Sequence, residues 1–303
     1  MIAIGGDSGS GKITLSRGFG LIFGNERTAT VSLDDYHSLD RAQRRAVDIT
    51  AADPRANNFA AMEEDLWALR EGRAMSSPTY DHATGKFVEP HVVEPKDIVV
   101  VYGLFPLYTR SLRSLFDVTV WLDPEPGVKT AWKLQRDTSQ RGYNESEVRA
   151  AIERRKPDVE KYVAPQAKYA DLTVTFFGED GWHDDGDPAK LSARIRKGGR
   201  FQPLDYEEFR SASTSMRQTR TVGGRYPETL IELSGNFAPD AAEAVIDRLW
   251  AHVGEDGRTR PAGLGAIENA SGNSSVGYTL ALAQLLIARR VVLIEHELLE
   301  AVT

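Results

Sequence analysis

Not one of the 303 residues is cysteine. Disulfides, thiolate catalysis and cysteine-held metals are therefore excluded, and a reducing compartment is the simple expectation. Histidine is scarce, with six in all, and no two stand four residues apart, so no zinc pair of that spacing exists. A surplus of basic charge is also missing. Lys and Arg total 37 against 44 Asp and Glu, a net charge of −7. Nucleic acid and anionic membrane call for a basic surface, so neither is expected as a partner. The most apolar stretch, Tyr278 to Ile294, is interrupted by Arg289 and Arg290, which speaks against a membrane span. No leader precedes the apolar start at Met1, and the expected location is cytoplasmic. Internal repeats and low-complexity tracts are lacking. What remains, 41% hydrophobic and 27% charged residues, describes a globular chain long enough to bury a large core.

The most informative segment is Gly6-Asp7-Ser8-Gly9-Ser10-Gly11-Lys12. It follows a short apolar run, Met1-Ile2-Ala3-Ile4, that reads as a first strand, and the residues from Thr14 onward can open a helix. A glycine loop in that position presents successive backbone N–H groups and a helix N-terminus to phosphates, and the lysine adds a point charge. A plain turn needs neither the lysine nor the clustered glycines. A dinucleotide fingerprint is not matched in register. The next residue should be Ser or Thr, whose hydroxyl holds Mg²⁺, but it is Ile13.

Further strand-like runs are Thr28 to Leu33, Asp97 to Tyr102, Asp117 to Asp123 and Leu172 to Phe177. The uninterrupted apolar character of Asp97 to Tyr102 suits a parallel strand buried on both faces. Phe59 to Glu71, with Met62, Leu66, Trp67 and Leu69, reads as a helix with one buried face. Gly127 to Gln140 and Ser146 to Lys156 also read as helices. Strands alternating with helices predict an α/β fold with a doubly wound parallel sheet and ligands at the strands' carboxyl ends. Beyond Gly178 the pattern loosens. A polar stretch from Gly178 to Pro188 leads to a pair of strands within Thr219 to Ser234, joined through Gly223-Gly224, then a helix at Pro239 to His252. A glycine-rich loop, Gly254 to Gly277, precedes a last helix with Leu282, Leu285, Leu286 and Leu293 at helical spacing.

Asp34 closes the second strand, with Asp35, His37 and Arg41 just after it. In phosphoryl transfer a carboxylate so placed can accept the proton of the attacking hydroxyl and help hold Mg²⁺. It can equally cap a following helix. Arg41, Arg44 and Arg45 suit a phosphate-bearing substrate or a solvated face. Lys133, Arg136 and Arg141, and the cluster Arg154-Arg155-Lys156, suit charge-neutralising groups or, again, a face that meets water. Tyr80 and His82, within Pro78-Thr79-Tyr80-Asp81-His82, read as a loop that brings an aromatic and an imidazole together.

These residues resemble the phosphoribulokinase group of the phosphoribulokinase/uridine kinase family, most of all its plant and cyanobacterial type. The loop Gly6 to Lys12 carries the likeness, with Leu33-Asp34-Asp35-Tyr36-His37-Ser38-Leu39-Asp40-Arg41, Asp53-Pro54-Arg55-Ala56-Asn57-Asn58-Phe59 and Pro78 to Gly85. Gln135-Arg136-Asp137, Arg155-Lys156-Pro157-Asp158 and Tyr162 to Ala170 extend it to about residue 177. The resemblance implies a P-loop kinase with a doubly wound, mainly parallel sheet as residues 1–210. Residues 211–303 would be a C-terminal α+β extension packed on that core rather than an independent domain. It also implies ATP-dependent phosphorylation of the 1-hydroxyl of ribulose 5-phosphate, a Calvin-cycle step, with ATP and Mg²⁺ as cofactors and a homo-oligomer, a dimer, as the assembly. Asp34 would be the catalytic base, acting with Lys12. Asp7, Ser8, Gly9, Ser10, Gly11, Lys12, Ile13 and Thr14 would hold ATP. His37, Arg41, Arg44, Tyr80 and His82 would hold the sugar phosphate, Arg136, Arg141, Arg154 and Arg155 would neutralise charge, and Asp34 with Thr14 would hold the metal.

The chain departs from that pattern where metal is handled. Ile13 replaces a hydroxyl residue, and Tyr102-Gly103 stands where the family has Glu-Gly. Phe105 stands where a histidine is common. The plant type's regulatory cysteines fall at Ser10 and Ser32, so thiol control of that kind is absent. The resemblance thus implies an altered metal site. Beside it stand two other readings: a non-catalytic or weakly active homologue that binds nucleotide or sugar phosphate, and a kinase for another sugar phosphate or a nucleoside.

Overall fold

The computed structural model describes residues 1–179, 187–198, 215–221, 228–254, 258–268 and 274–300. They form two compact units. The first comprises Met1–Lys12, Asn25–Leu122 and Lys129–Ala170, and the second Ile13–Gly24, Asp123–Val128 and the described residues from Asp171 onward.

In the first unit β1 (Ile2–Gly6) lies between β5 (Ile98–Gly103) and β6 (Val118–Leu122), and β5 pairs in turn with β2 (Thr28–Ser32). All these pairings are parallel, as the continuous apolar runs predict. Every residue of β1 and β6 is buried, and β5 is buried except at half-exposed Tyr102, which a parallel strand covered on both faces requires. Ala3 pairs with Val101 while Gly5 pairs with both Gly103 and Trp121, so Ala3, Val101 and Trp121 share one face. That face carries two apolar clusters. One joins Val31, Val99 and Val101 to Met62, Leu66 and Leu69 of α3 (Phe59–Arg70) and Leu112 of α4 (Arg110–Ser114), and the other joins Ala3 and Trp121 to Leu104, Phe105, Leu107 and Val163. Asn58 caps α3 by accepting from the amide of Ala61 at 3.2 Å. Trp67, expected on its buried face, is 50% exposed, because one residue's advance from Leu66 turns it about 100° off the stripe.

Of the segment Pro78 to His82, read as a loop, all but His82 is instead strand. β3 (Met75–Asp81) pairs antiparallel with β4 (Lys86–Val93), with a register shift between Ser77 and Thr79. Pro78 sits at that shift, where its missing N–H does least harm to the ladder, and it hides the strand's period from view. The connection is held by the Asp81 carboxylate, which accepts from the Ala83 and Thr84 amides, and by Gly85 at φ +75°.

In the second unit the strands are antiparallel. β7 (Leu172–Phe177) pairs with β8 (Ser192–Lys197), which pairs with β10 (Glu228–Leu233), which pairs with β9 (Met216–Thr221). The pair of strands expected within Thr219 to Ser234 is therefore present, though Gly223-Gly224 lies outside the described residues. So do residues 180–186 of the polar stretch. The expected loop from Gly254 to Gly277 contains a short hairpin, β11 (Ala266–Glu268) with β12 (Ser274–Val276). α7 (Pro239–Val253) and α8 (Tyr278–Glu300) pack together, α7 through Ala242, Val245, Ile246, Leu249 and Val253. Among the described residues, no helix is long and apolar enough to cross a membrane.

One buried side chain fixes the chain just past β5. Gln166 accepts from the amide of Leu107 at 3.1 Å and donates to the carbonyls of Leu104 at 2.9 Å and Tyr162 at 3.2 Å. Gln166→Leu keeps the size but strands those backbone groups. The expected loss is about 1–3 kcal/mol of stability, read from the denaturant midpoint. A loss under about 0.5 kcal/mol would show that this clamp is dispensable.

Candidate active site

The glycine loop joins β1 to α1 (Lys12–Phe23). Gly9 has φ +84°, and a Cβ there would lie 2.9 Å from the Cβ of Lys133, so backbone conformation and space both demand glycine. The Ser10 amide donates to the Asp7 carbonyl at 3.2 Å. The Ser10 hydroxyl is buried without a hydrogen-bond partner, an uncommon state that a ligand oxygen would relieve. Lys12 is buried, and its ammonium donates to the carbonyls of Gly6 and Asp7, each at 2.8 Å. Burial pulls its pKa down to about 8, against the opposing pull of the Asp34 and Asp7 carboxylates.

Asp34 lies in a single 3₁₀ turn, Leu33–Asp35, directly after β2. Its Oδ1 accepts from the Leu104 amide at 3.1 Å. Burial opposes the charge, but Lys12, His82, His37 and the Leu104 amide outweigh it and hold the carboxyl below its usual range. Asp35 faces another way, accepting from the Tyr80 amide at 3.0 Å, and so ties the turn to β3. Neither caps the next helix. Asp40 does so for α2 (Arg41–Ala46), in a reciprocal pair with Gln43.

His37, Tyr80 and His82 meet edge to face, with ring centroids 4.9 Å and 5.2 Å apart. Asn57 spends its Nδ2 on the carbonyls of Ala51 and Asp53, so the Oδ1 facing His37 must accept. Nδ1 of His37 therefore carries the hydrogen, at 3.1 Å, and Nε2 is left as an acceptor. Burial, with Arg44 next, lowers the His37 pKa to about 4, and burial lowers that of His82 to about 4 with Arg141, Arg136 and Arg41 adding to it. Both rings are neutral at pH 7.

Arg41 and Arg44, expected to grip a substrate phosphate, are committed to protein in this structure. Arg41 donates to the carbonyls of His82 and Ala83 and stands 5.6 Å over the Tyr143 ring. Arg44 is buried, donating to the Leu39 carbonyl and, at 2.8 Å, to the Tyr80 hydroxyl. Both hold the hairpin against α2.

The remaining cations come from α5 (Pro126–Gln140) and α6 (Glu145–Asp158). Asp7 accepts from Arg155 at 2.9 Å and from Lys129 at 3.3 Å. Asp137 takes Lys133 at 2.7 Å on one oxygen, and on the other Arg136 at 2.8 Å and Arg141 at 3.3 Å. Arg136 also donates to the Ser8 hydroxyl at 3.1 Å. Arg136, Arg141 and Arg155 are thus brought to the loop, whereas Arg154 is exposed and makes no ion pair among the described residues. Adjacent helical positions differ by about 100°, so only one of Arg154 and Arg155 can face inward. Sequence reading missed Lys129, and it missed Asp137 and Asp7 as carboxylates that organise the cations. Helical spacing of 129, 133, 136 and 137 was the available signal.

A metal ion is less well provided for. Ile13 offers no oxygen and is 46% exposed, and Thr14 gives its carbonyl to Gln284. Tyr102 carries a phenol in place of a carboxylate. Both oxygens of Asp7 and of Asp137 already face cations, and among the described residues no three His, Asp or Glu gather as a metal set. These donors do not fit a divalent ion anchored by the protein.

A glycine loop between a parallel strand and a helix, with a lysine reaching back beneath it, defines a P-loop fold of the kinase type. The chain belongs to the phosphoribulokinase/uridine kinase family, whose model matches residues 1–180 and whose members are ATP-dependent kinases. It is 45% identical over 174 residues to the phosphoribulokinase of Synechocystis sp., covering 57% of this chain and 52% of the relative. It is 37% identical over 212 residues to the chloroplastic phosphoribulokinase of Spinacia oleracea, covering 64% and 53%. With the uridine kinase of Staphylococcus haemolyticus it shares 32% over 181 residues, covering 57% and 86%. The chain spans about half the length of the curated phosphoribulokinases it matches. The solved phosphoribulokinase from Rhodobacter spheroides shares the fold, with a TM-score of 0.58 at 21% identity over 83% of this chain and 97% of that one.

Lys12 and Lys133 both titrate near 8, for Lys133 through burial and then Arg155. A polyanion would be held by their charged forms, present below pH 8 and lost as pH rises through it. Affinity for inorganic triphosphate is expected to fall above pH 8 by up to about two decades per pH unit. Unfolding cannot mimic this. A folded pKa below the ordinary 10.5 makes these lysines favour the folded state as pH rises. Calorimetric affinities that stay flat from pH 7 to 10 would contradict the assignment.

Proposed function

We propose that this chain is a kinase that moves the γ-phosphoryl group of ATP to a hydroxyl of a sugar phosphate, with the 1-hydroxyl of ribulose 5-phosphate as the first acceptor to test. The observation that carries the reading is Asp34, an ionised carboxylate within the field of the loop lysine. In this role the loop amides and the Ser10 hydroxyl hold the β- and γ-phosphates, and Lys12 exchanges two carbonyls for phosphate oxygens. The acceptor hydroxyl hydrogen-bonds to Asp34. As its oxygen bonds to the γ-phosphorus, the bond to the β–γ bridging oxygen breaks and the hydroxyl proton passes to Asp34. A loose transition state asks little basicity of that carboxylate, so its low pKa is compatible with the task. Lys133, Arg136 and Arg155 take up charge on the moving group.

A phosphorylated acceptor is supported by the basic residues around His82 and by the curated phosphoribulokinases. Neutral His37 and His82 can order sugar hydroxyls. No step is assigned to a metal. Ile13 and Tyr102 favour a second reading, a homologue that binds ATP without turning it over.

An ADP-release assay with ribulose 5-phosphate, ribose 5-phosphate and uridine separates these readings. Turnover is expected with a sugar phosphate, and Asp34→Asn is expected to lower kcat by about a hundredfold to ten-thousandfold while ATP still binds. ATP binding with silence toward all three acceptors would favour the non-catalytic reading. Turnover of uridine alone would replace the acceptor class.

A further inference from the structure

Three carboxylates face this site, Asp7, Asp34 and Asp137, against six cations, Lys12, Lys129, Lys133, Arg136, Arg141 and Arg155. The arrangement is more specific than the surplus. Asp7 offers Oδ1 to Arg155 and to the Ser8 amide and Oδ2 to Lys129. Asp137 offers Oδ2 to Lys133 and Oδ1 to Arg136 and Arg141. Asp34 gives Oδ1 to the Leu104 amide. Its Oδ2 lies in the field of Lys12, and among the described residues it takes no hydrogen bond or ion pair. Six cations against three carboxylates leave a positive surplus, which repels a divalent ion brought here and attracts a free triphosphate. The buried, unpartnered Ser10 hydroxyl lies inside the same loop and can donate to a phosphate oxygen but has no charge to offer a metal.

We propose that the basic side chains of this site carry the charge that Mg²⁺ carries in other triphosphate sites, so that ATP binds here without a divalent cation. The proposal rests on reading the loop as a triphosphate cradle and adds how the charge is balanced. Ile13 and Tyr102 fit it: once lysine and arginine supply the compensation, the hydroxyl and carboxylate that anchor a metal have no function left.

The test is the ATP affinity of the full chain, by titration calorimetry, in EDTA and in Mg²⁺ at equal ionic strength. Affinities within about tenfold of each other are expected. A loss greater than that on removing Mg²⁺ overturns the proposal while leaving the cradle standing. Absence of binding in both buffers overturns the cradle and the proposal together. The double substitution Ile13→Ser with Tyr102→Glu restores two oxygen donors and is expected to make Mg²⁺ raise ATP affinity by more than about tenfold. A Mg²⁺ response equal to that of the unaltered chain would mean these positions do not set metal dependence, contrary to the proposal.

Discussion

Lys12 holds its ammonium out of water against two carbonyls of its own loop, within the field of Asp34. Taking an ammonium out of water costs several kcal/mol, and hydrogen bonds to carbonyls recover only part of it. The fall of its pKa from 10.5 to about 8 says the same: the folded site disfavours this charge by about 3 kcal/mol relative to water. Asp34 and Asp7, both kept ionised, oppose that fall and favour the charged lysine. On the function proposed above, a polyanion completes the couple.

Much of the scaffold serves that couple. β1 and β2 deliver the loop and the Leu33–Asp35 turn, and β5 delivers the Leu104 amide to Asp34. Gln166 holds Leu104 and Leu107 from behind. Glycine at Gly103 is needed because a Cβ there would stand 2.7 Å from the Cβ of Leu33. Asp35 and Arg44 then fasten the hairpin that carries Tyr80 and His82. A residue outside the candidate site, such as Gln166, can therefore govern the position of the amide that faces Asp34.

The parallel core was legible because strands buried on both faces leave uninterrupted apolar runs, as at Ile98–Gly103, and the loop because its glycines and lysine have a spacing with one mechanical use. β3 was not, since Pro78 breaks both the ladder and the pattern by which strands are known. The hairpin within Gly254 to Gly277 was hidden for a related reason, its strands being three residues long. At the candidate site, the glycine loop marks Lys12 and the strand end marks Asp34, whereas His37 and His82 take their roles from the family resemblance; the structure groups all four. Arg41 and Arg44 show the limit of such naming, because a guanidinium that forks onto phosphate and one that forks onto carbonyls look identical in a sequence. Asp7 and Asp137 were obscured by the opposite habit of mind, in which a phosphate site is searched for positive charge. The carboxylates that space those charges become visible only once α5, α6 and the loop are placed together.

On the function proposed above, the buried ammonium of Lys12 awaits a polyphosphate. A crystal structure of the chain with a non-hydrolysable ATP analogue tests it most directly. Lys12 Nζ is expected to leave the carbonyls of Gly6 and Asp7 for phosphate oxygens about 2.7–2.9 Å away, with the Ser10 hydroxyl engaged and the Asp34 carboxylate turned toward the γ-phosphate. An analogue bound elsewhere while Lys12 keeps both carbonyls, or one seated on the loop with Asp34 turned away, would contradict it.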